Sequence, residues 1–137
     1  MHRVHTLTIA TDGPGLTEFT RDAVQWVGGT GIATGLLTAF CRHTSASLLI
    51  TENASGAVRR DLTAWLERVA PESGRYEHDC EGPDDMPAHL KQVLTGTSLS
   101  VPVAGGRPLL GTWQGLFLAE HRATQHRREI ALHLSGD

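Results

Sequence analysis

Apolar and polar residues alternate at the beginning of the chain, and the pattern then changes to a helical period. Between residues 4 and 10, β-branched residues recur at every second position, and this period of two predicts a first strand. From Leu16 onwards, apolar residues recur every three or four positions as far as Val27. One helix is therefore expected there, ending at the glycine pair that follows.

The middle of the chain contains two compact apolar runs and a second helical stripe. The runs at residues 35–42 and 45–51 predict two strands, or one long bent strand, separated by His43 and Thr44. A second helix follows, for which Ser55 is the expected cap and Pro71 the end. The face of this helix predicted to be buried consists of Val58, Leu62, Trp65, Leu66 and Val69.

A third, shorter helix and further strands are predicted in the last third of the chain. Asp84 or Asp85 can cap this helix, Pro87 lies in its first turn and Gly96 follows its end. Its predicted core face consists of Met86, Leu90, Val93 and Leu94. The later strands are expected at residues 98–103, 109–122 and 128–134, with a hairpin turn at residues 104–107.

The order of these elements predicts the fold class. Helices inserted among strands that are joined by hairpins favour an α+β domain with largely antiparallel sheets over a doubly wound parallel one. The length of 137 residues fits one domain over residues 1–137, with a core large enough to need no disulfides or metal for stability.

Composition and charge exclude several classes of protein. The 12 basic and 15 acidic residues leave no basic excess, so a general nucleic-acid binder is not expected. The two cysteines, Cys41 and Cys80, cannot form a disulfide framework or a four-cysteine zinc site, and they fit a reducing cytoplasm. The polar beginning and the absence of a long apolar stretch predict neither a secretory signal nor a membrane partner.

The segment at residues 76–89, YEHDCEGPDDMPAH, is unusually rich in groups that bind metals or move protons. Asp85 and His89 are four apart, so they share one face of the third helix, where the carboxylate can orient the imidazole. With His78 and Asp79 they offer nitrogen and oxygen donors for a divalent metal such as zinc or magnesium. Alternatively, the aspartates only cap the helix and the histidines lie on its surface. No feature of the sequence indicates a nucleotide cofactor.

Two other segments carry candidate chemistry. The hydroxyl-rich turn that includes His43, Thr44, Ser45 and Ser47 can present donors to a phosphate, or can satisfy backbone groups at a strand junction. Ser45 lacks a nucleophile-elbow motif, so a serine hydrolase is not expected. In the strand predicted at residues 109–122, alternation places Glu120 and His121 on opposite faces. One of them could reach a site, whereas Glu120 and Arg122 could equally be surface charges of an edge strand.

Several long segments resemble the YjbQ family, small bacterial and archaeal proteins described as secondary thiamine-phosphate synthases. The resemblance runs from about Leu37 onwards and is carried by HTSASLLITENA, VRRDL, YEHDCEGPDDMPAHLK, GTSLSVPV and GTWQGLFLAEHR. It implies a mostly antiparallel, β-sandwich-like α+β fold with two to three helices. It also implies a cytoplasmic homotrimer in which the sheets pack around a threefold axis. The chain departs from the family pattern at Cys80 and at residues 123–126.

The expected roles of individual residues combine this resemblance with the chemistry of the segments described above. The expected catalytic residues are His43, Asp85, His89 and Glu120. The residues expected to bind substrate are Thr44, Ser45, Ser47, Asn53, Gln114 and Arg122. The expected metal ligands are His78, His89 and His121.

The reaction implied by the resemblance joins a pyrimidine diphosphate to a thiazole phosphate and releases pyrophosphate. The expected partner is therefore a phosphorylated small molecule. Two alternatives are a metal-assisted phosphate-ester hydrolase and a trimer that binds a metal or metabolite without chemistry.

Overall fold

The computed structural model describes all residues from 1 to 137. The strands are β1 (His2–Asp12), β2 (Gly15–Glu18), β3 (Gly35–Cys41), β4 (Ala46–Glu52), β5 (Ser98–Ala104), β6 (Arg107–Pro108), β7 (Gln114–Glu120) and β8 (Gln125–Gly136). The helices are α1 (Thr20–Gly29), α2 (Gly56–Val69) and α3 (Asp85–Thr95). None of the three helices is long and apolar enough to cross a membrane.

The strands form two sheets in which every neighbouring pair is antiparallel. Five strands make the larger sheet, in the order β1-β8-β3-β5-β6, and three make the smaller sheet, in the order β2-β7-β4. This arrangement confirms the prediction of an α+β fold with antiparallel sheets.

The core lies between the two sheets because each turns an apolar face inward. In the larger sheet, alternate residues such as Leu37 of β3 and Leu132 of β8 are fully buried. They belong to the same cluster as Leu48 of β4 and Leu118 of β7 in the smaller sheet. Val27 of α1 joins this cluster, so the first helix helps to close the core.

The structure corrects two predicted elements. Residues 16–18, predicted as the start of the first helix, belong to β2, because Gly15–Glu18 pairs with the end of β7. The strand predicted at residues 109–122 is shorter than expected, since only residues 114–120 form β7. Its first part is a loop, because β6 pairs in the larger sheet whereas β7 pairs in the smaller one, and the chain must cross between them.

The buried faces predicted for the second and third helices are mostly wrong. In α2 only Leu66 is buried, and Trp65 is about half exposed. In α3 the predicted core residue Val93 is 76% exposed, whereas Asp85 and Lys91 point inward. The inner face of α3 thus combines these polar residues with two small apolar residues of its first turn, and most of the apolar residues predicted as its core remain open to solvent.

Candidate functional site

The candidate site lies at one end of the sandwich, where three segments meet. The first is the first turn of α3 with the loop before it, which carries His78, Asp85 and His89. The second is the turn between β3 and β4, at Thr44. The third is the end of β7, which is followed by Arg122.

His78, Asp85 and His89 form a compact cluster of potential ligands. The Oδ2 atom of Asp85 lies 2.7 Å from Nε2 of His78 and 3.1 Å from Nε2 of His89. One ligand atom from each residue lies within 4.8 Å of the other two. The helical spacing of Asp85 and His89 explains why these two side chains meet. The preceding loop brings His78 to the same carboxylate oxygen.

The hydrogen bond of His89 to the backbone indicates that the cluster attracts a cation. The Nδ1 atom of His89 lies 2.7 Å from the carbonyl oxygen of Thr44, which can only accept, so Nδ1 carries a proton. In the neutral ring, Nε2 then turns a lone pair towards the carboxylate of Asp85. Two acceptors at this distance require a cation between them, either a proton on Nε2 or a metal ion.

Electrostatics favour an ionised Asp85. Burial alone would raise the pKa of this carboxyl group, but the hydrogen bond from His78 and the charges of His89 and Arg122 outweigh it and lower the pKa. In return, the hydrogen bond to Asp85 raises the pKa of His78. The carboxylate therefore remains negative near neutral pH, as a ligand for a cation must.

Arg122 holds the segment that carries Asp85. Its Nη1 donates to Oδ1 of Asp85 at 2.7 Å, its Nε donates to Oδ2 of Asp84 at 3.0 Å, and its Nη2 donates to the carbonyl oxygen of Glu81 at 3.0 Å. Asp84 also accepts from the backbone amide of Ala123. Arg122 was expected to bind substrate, and each of its three nitrogens makes a hydrogen bond within the protein.

Glu120 lies in the interior, not in the cluster. It is 2% exposed, and its oxygens accept hydrogen bonds from Arg128, from Thr11 and from the backbone amides of His121 and Arg122. This ion pair connects β7 of one sheet to β8 of the other. The carboxylate expected to be catalytic therefore has no free acceptor directed at a ligand.

His121, expected to be a metal ligand, lies apart from His78 and His89. Its side chain is buried, and its Nε2 is 2.8 Å from the hydroxyl of Ser47, which also contacts Thr95. Burial, with the nearby charge of Lys91, lowers the pKa of His121 to about 4. The ring is therefore neutral at pH 7 and belongs to the packing of α3 against the smaller sheet.

The polar side chains in the turn after β3 mainly satisfy hydrogen-bonding groups at the junction between the two sheets. The Nε2 atom of His43 accepts the backbone amide of Glu129 at 2.7 Å, and the hydroxyl of Ser45 accepts from Arg128 at 2.9 Å. Burial and the charge of Arg128 lower the pKa of His43. This arrangement matches the alternative interpretation of the turn, and only the Thr44 carbonyl reaches the cluster.

Asn53 and Gln114, both expected to bind substrate, lie at the opposite end of the smaller sheet. Gln114 pairs with Glu52 at one end of β4, whereas Glu120 pairs with Ala46 at the other. Six residues of strand separate these ends, a distance of about 20 Å. Within one chain, the two ends of the smaller sheet do not form a single site.

An open groove of about 510 Å³ lies beside His78. Its lining includes Tyr76 and Met86, which lie within the candidate segment at residues 76–89 but had no role predicted in a site, and Arg75, which directly precedes that segment. Because the groove is open and the side chain of His78 is 40% exposed, a ligand bound there can reach the cluster.

Comparison with family models and curated proteins identifies related sequences. The family model described as "UPF0047 protein YjbQ-like" matches residues 5–137. A UPF0047 protein of Synechocystis is 50% identical over 132 residues, which cover 96% of this chain and 90% of that protein. The UPF0047 protein YjbQ of Salmonella typhimurium is 41% identical over 133 residues, which cover 96% of each chain.

Solved structures give the same result for the fold. A conserved hypothetical protein from Thermus thermophilus matches with a TM-score of 0.85 and 34% identity, over 96% of this chain and 99% of that chain. A conserved protein of the yjbq/upf0047 family from Clostridium acetobutylicum matches with a TM-score of 0.89 and 30% identity, over the same shares. The second of these proteins is described by its family, and neither description gives a reaction.

Proposed function

This chain belongs to the YjbQ-like UPF0047 family, and on that premise we propose that it is a metal-dependent enzyme acting on phosphorylated small molecules. The observation that carries the proposal is the convergence of His78, Asp85 and His89 on one point beside an open groove. A buried network would not need two imidazoles directed at the same carboxylate oxygen.

The donor set fits zinc better than magnesium. Two imidazole nitrogens and one carboxylate oxygen are ligands that zinc accepts, and three protein ligands leave a position for water or substrate. Magnesium prefers oxygen ligands in octahedral geometry. A bound zinc ion would neutralise charge on a phosphate or acidify a bound water.

The leading reaction is a thiamine-phosphate synthase-type transfer, which joins a pyrimidine diphosphate to a thiazole phosphate. Departure of pyrophosphate needs a cation near the leaving group, and the cluster is the place where this chain can hold one. With His78, Asp85 and His89 as ligands, the bound cation would itself neutralise the charge that develops on the departing pyrophosphate.

Hydrolysis of a phosphate ester is the second candidate. It is favoured by the exposure of His78, because water can reach the cluster directly from the groove. The same residues would hold the metal, which would supply the nucleophile by lowering the pKa of a bound water.

Zinc titration tests the proposed site. After treatment with a chelator, we expect the protein to bind one zinc ion per chain. His89→Ala should weaken binding by at least about 100-fold, the upper end of the effect of losing a residue that only orients a ligand. His5→Ala is a matched control, because the ring of His5 stacks on Trp26 and contacts no member of the cluster.

Turnover by the zinc-loaded protein distinguishes the reactions. The transferase would be supported if wild-type protein joins the pyrimidine diphosphate to the thiazole phosphate and His89→Ala does not. Release of inorganic phosphate from simple esters would support the hydrolase. Zinc binding without turnover of either kind would leave a non-catalytic metal-binding protein, and a wild-type protein that binds no zinc would reject the site itself.

We also propose that the protein is a cytoplasmic homotrimer. Both cysteines are free thiols, as a reducing compartment would maintain them. Support for self-association comes from the outer face of the larger sheet, where Val4, Leu36 and Phe40 are exposed. Such apolar exposure is typical of an interface.

A further inference from the structure

We propose that Arg122 is a positioning residue that fixes the metal-binding orientation of Asp85, an inference that rests on the proposed metal site. The two oxygens of the Asp85 carboxylate have separate partners. Oδ1 accepts from Arg122, whereas Oδ2 lies near both His78 and His89. Holding Oδ1 turns the plane of the carboxylate so that Oδ2 points at the place where the cation binds.

Arg122 also fixes the backbone on which Asp85 is mounted. Its other nitrogens donate to the side chain of Asp84 and to the carbonyl oxygen of Glu81. One guanidinium therefore holds three successive points of the turn that leads into α3. Without it, this polar and largely exposed turn would have few contacts to define its conformation.

The position of Arg122 is set in turn by the buried Glu120. The Oε1 atom of Glu120 accepts the backbone amides of His121 and Arg122, each at 3.0 Å, and thereby fixes the chain as it leaves β7. Glu120 is itself held by Arg128 of the other sheet, with Nη2 at 2.6 Å. A continuous series of charged hydrogen bonds thus connects the interior of the sandwich to the cluster.

Two effects of Arg122 on metal affinity oppose each other. Its charge makes the Asp85 carboxylate a weaker ligand, because a nearby cation disfavours a second cation. Its hydrogen bonds remove the cost of ordering the carboxylate and the turn when the metal binds. Partners that orient metal ligands typically change affinity by about 10–100-fold when removed, so the second effect is expected to dominate.

The test compares zinc affinity in Arg122→Ala, Arg122→Lys and wild-type protein, by competition with a chelating dye. We expect Arg122→Ala to bind zinc at least about tenfold more weakly, and Arg122→Lys to recover part of the loss because one ammonium can still reach Asp85. Cobalt(II) in place of zinc should show an altered visible absorption spectrum in Arg122→Ala, since the geometry of its ligands changes.

Arg42→Ala is the matched control, because Arg42 makes an exposed ion pair with Glu129 outside the cluster. It should leave zinc affinity unchanged. If Arg122→Ala does not fold, Arg122→Lys and Asp84→Asn decide the question, and each should weaken binding.

The outcomes separate this inference from the proposed function. Equal or tighter binding by the folded Arg122 variants would overturn the positioning role while leaving the metal site intact. A wild-type protein that binds no zinc would overturn both.

Discussion

The pKa values of two histidines in this structure are shifted in opposite directions by their surroundings. His78 lies beside the Asp85 carboxylate at the surface, and this partner raises its pKa. His121 is buried between α3 and the smaller sheet, and burial lowers its pKa to about 4. The two residues should therefore respond differently to acid.

Protonation of His121 should make the protein less stable at low pH. A histidine in the unfolded chain titrates near pH 6.5. Between that pH and about 4, the unfolded state therefore binds a proton at this position and the folded state does not. The loss begins as the pH falls through about 6.5 and is complete near pH 4, the folded value. With a shift of this size, it amounts to about 3 kcal/mol of unfolding free energy.

Urea denaturation at pH 7.5 and 4.5 would measure this effect in wild-type protein and in His121→Gln. The glutamine variant lacks the titrating group, so its unfolding free energy should fall less between the two pH values. His78 acts in the opposite direction, because its raised pKa favours the folded state as it becomes protonated. An equal acid loss in both proteins would contradict the role of His121.

At this scale the sequence predicted the composition of the site better than the roles of its members. The grouping of His78, Asp85 and His89 followed from helical spacing and a loop dense in donors, although Asp79, predicted with them, does not belong to the cluster. The separation of Glu120 and His121 onto opposite faces also holds. What the sequence could not show is that each of these two residues has a buried partner from a distant segment, which is decided only by tertiary packing.

Among the structural elements, β3 and β8 approach each other unusually closely at one end. Gly35 pairs with Gly136 there, and a Cβ atom on Gly35 would collide with the backbone carbonyl oxygen of Ser135. A backbone atom cannot move aside as the end of a side chain can. Glycine at this position therefore permits the close register of the two strands.

Gly35→Ala should destabilise the protein by at least about 2 kcal/mol, because the collision forces the strands apart. Gly28→Ala is the matched control near the end of α1, where nothing lies within 4 Å of the added atom. That change should be neutral or stabilising by roughly 0.5 kcal/mol, since alanine favours a helix. Thermal or urea unfolding would measure both, and equal effects would refute the steric argument.

The helices show the limit of reasoning from periodicity. A period of 3.6 correctly predicted that α2 and α3 exist and have an apolar stripe. It did not show which stripe packs inward. In α3 the inward face carries Asp85 and Lys91, whose ammonium pairs with Glu67 at 2.7 Å, together with small apolar residues such as Ala88. The larger apolar residues predicted as its core, such as Val93, face outward instead.

For the molecule as a whole, the outer face of the larger sheet is an extended surface with exposed apolar side chains. Across three strands, Val4 pairs with His133 and His133 with Thr38, while Phe40 lies opposite Ala131 in the neighbouring row. The charged side chains on this face lie at its margins, with Arg42 and Glu129 at one end and Arg107 in the edge strand β6 near the other. Depletion of charge is typical of the centre of a protein interface.

Phe40→Glu should therefore dissociate the proposed trimer, because the interface would have to bury an unpaired carboxylate. Light scattering coupled to size-exclusion chromatography would measure the mass of the variant and of wild-type protein. Val93→Glu is the matched control, since Val93 is an equally apolar and more exposed residue on the opposite, helical side. A trimer retained in Phe40→Glu and lost in Val93→Glu would place the interface on α3.

The pairing of strands explains why the overall fold was only partly predictable. Alternation indicated most strands, and the hairpin at residues 104–107 joins β5 to β6 as expected. The assignment of strands to two sheets was not predictable, because β1 pairs with β8 across more than a hundred residues. No local pattern encodes such a partner.

The position of β8 in the interior of the larger sheet has a consequence for how the chain folds during synthesis. The strand lies between β1 and β3 and is the only neighbour of β1. The larger sheet therefore cannot assemble until residues 125–136 have left the ribosome, and β1 must wait with both edges unpaired. Contacts so distant in sequence slow folding, and exposed edges favour aggregation in the meantime. Because Arg128 belongs to this strand, the support of Glu120, and through it the order of the metal-binding turn, should be among the last features to form.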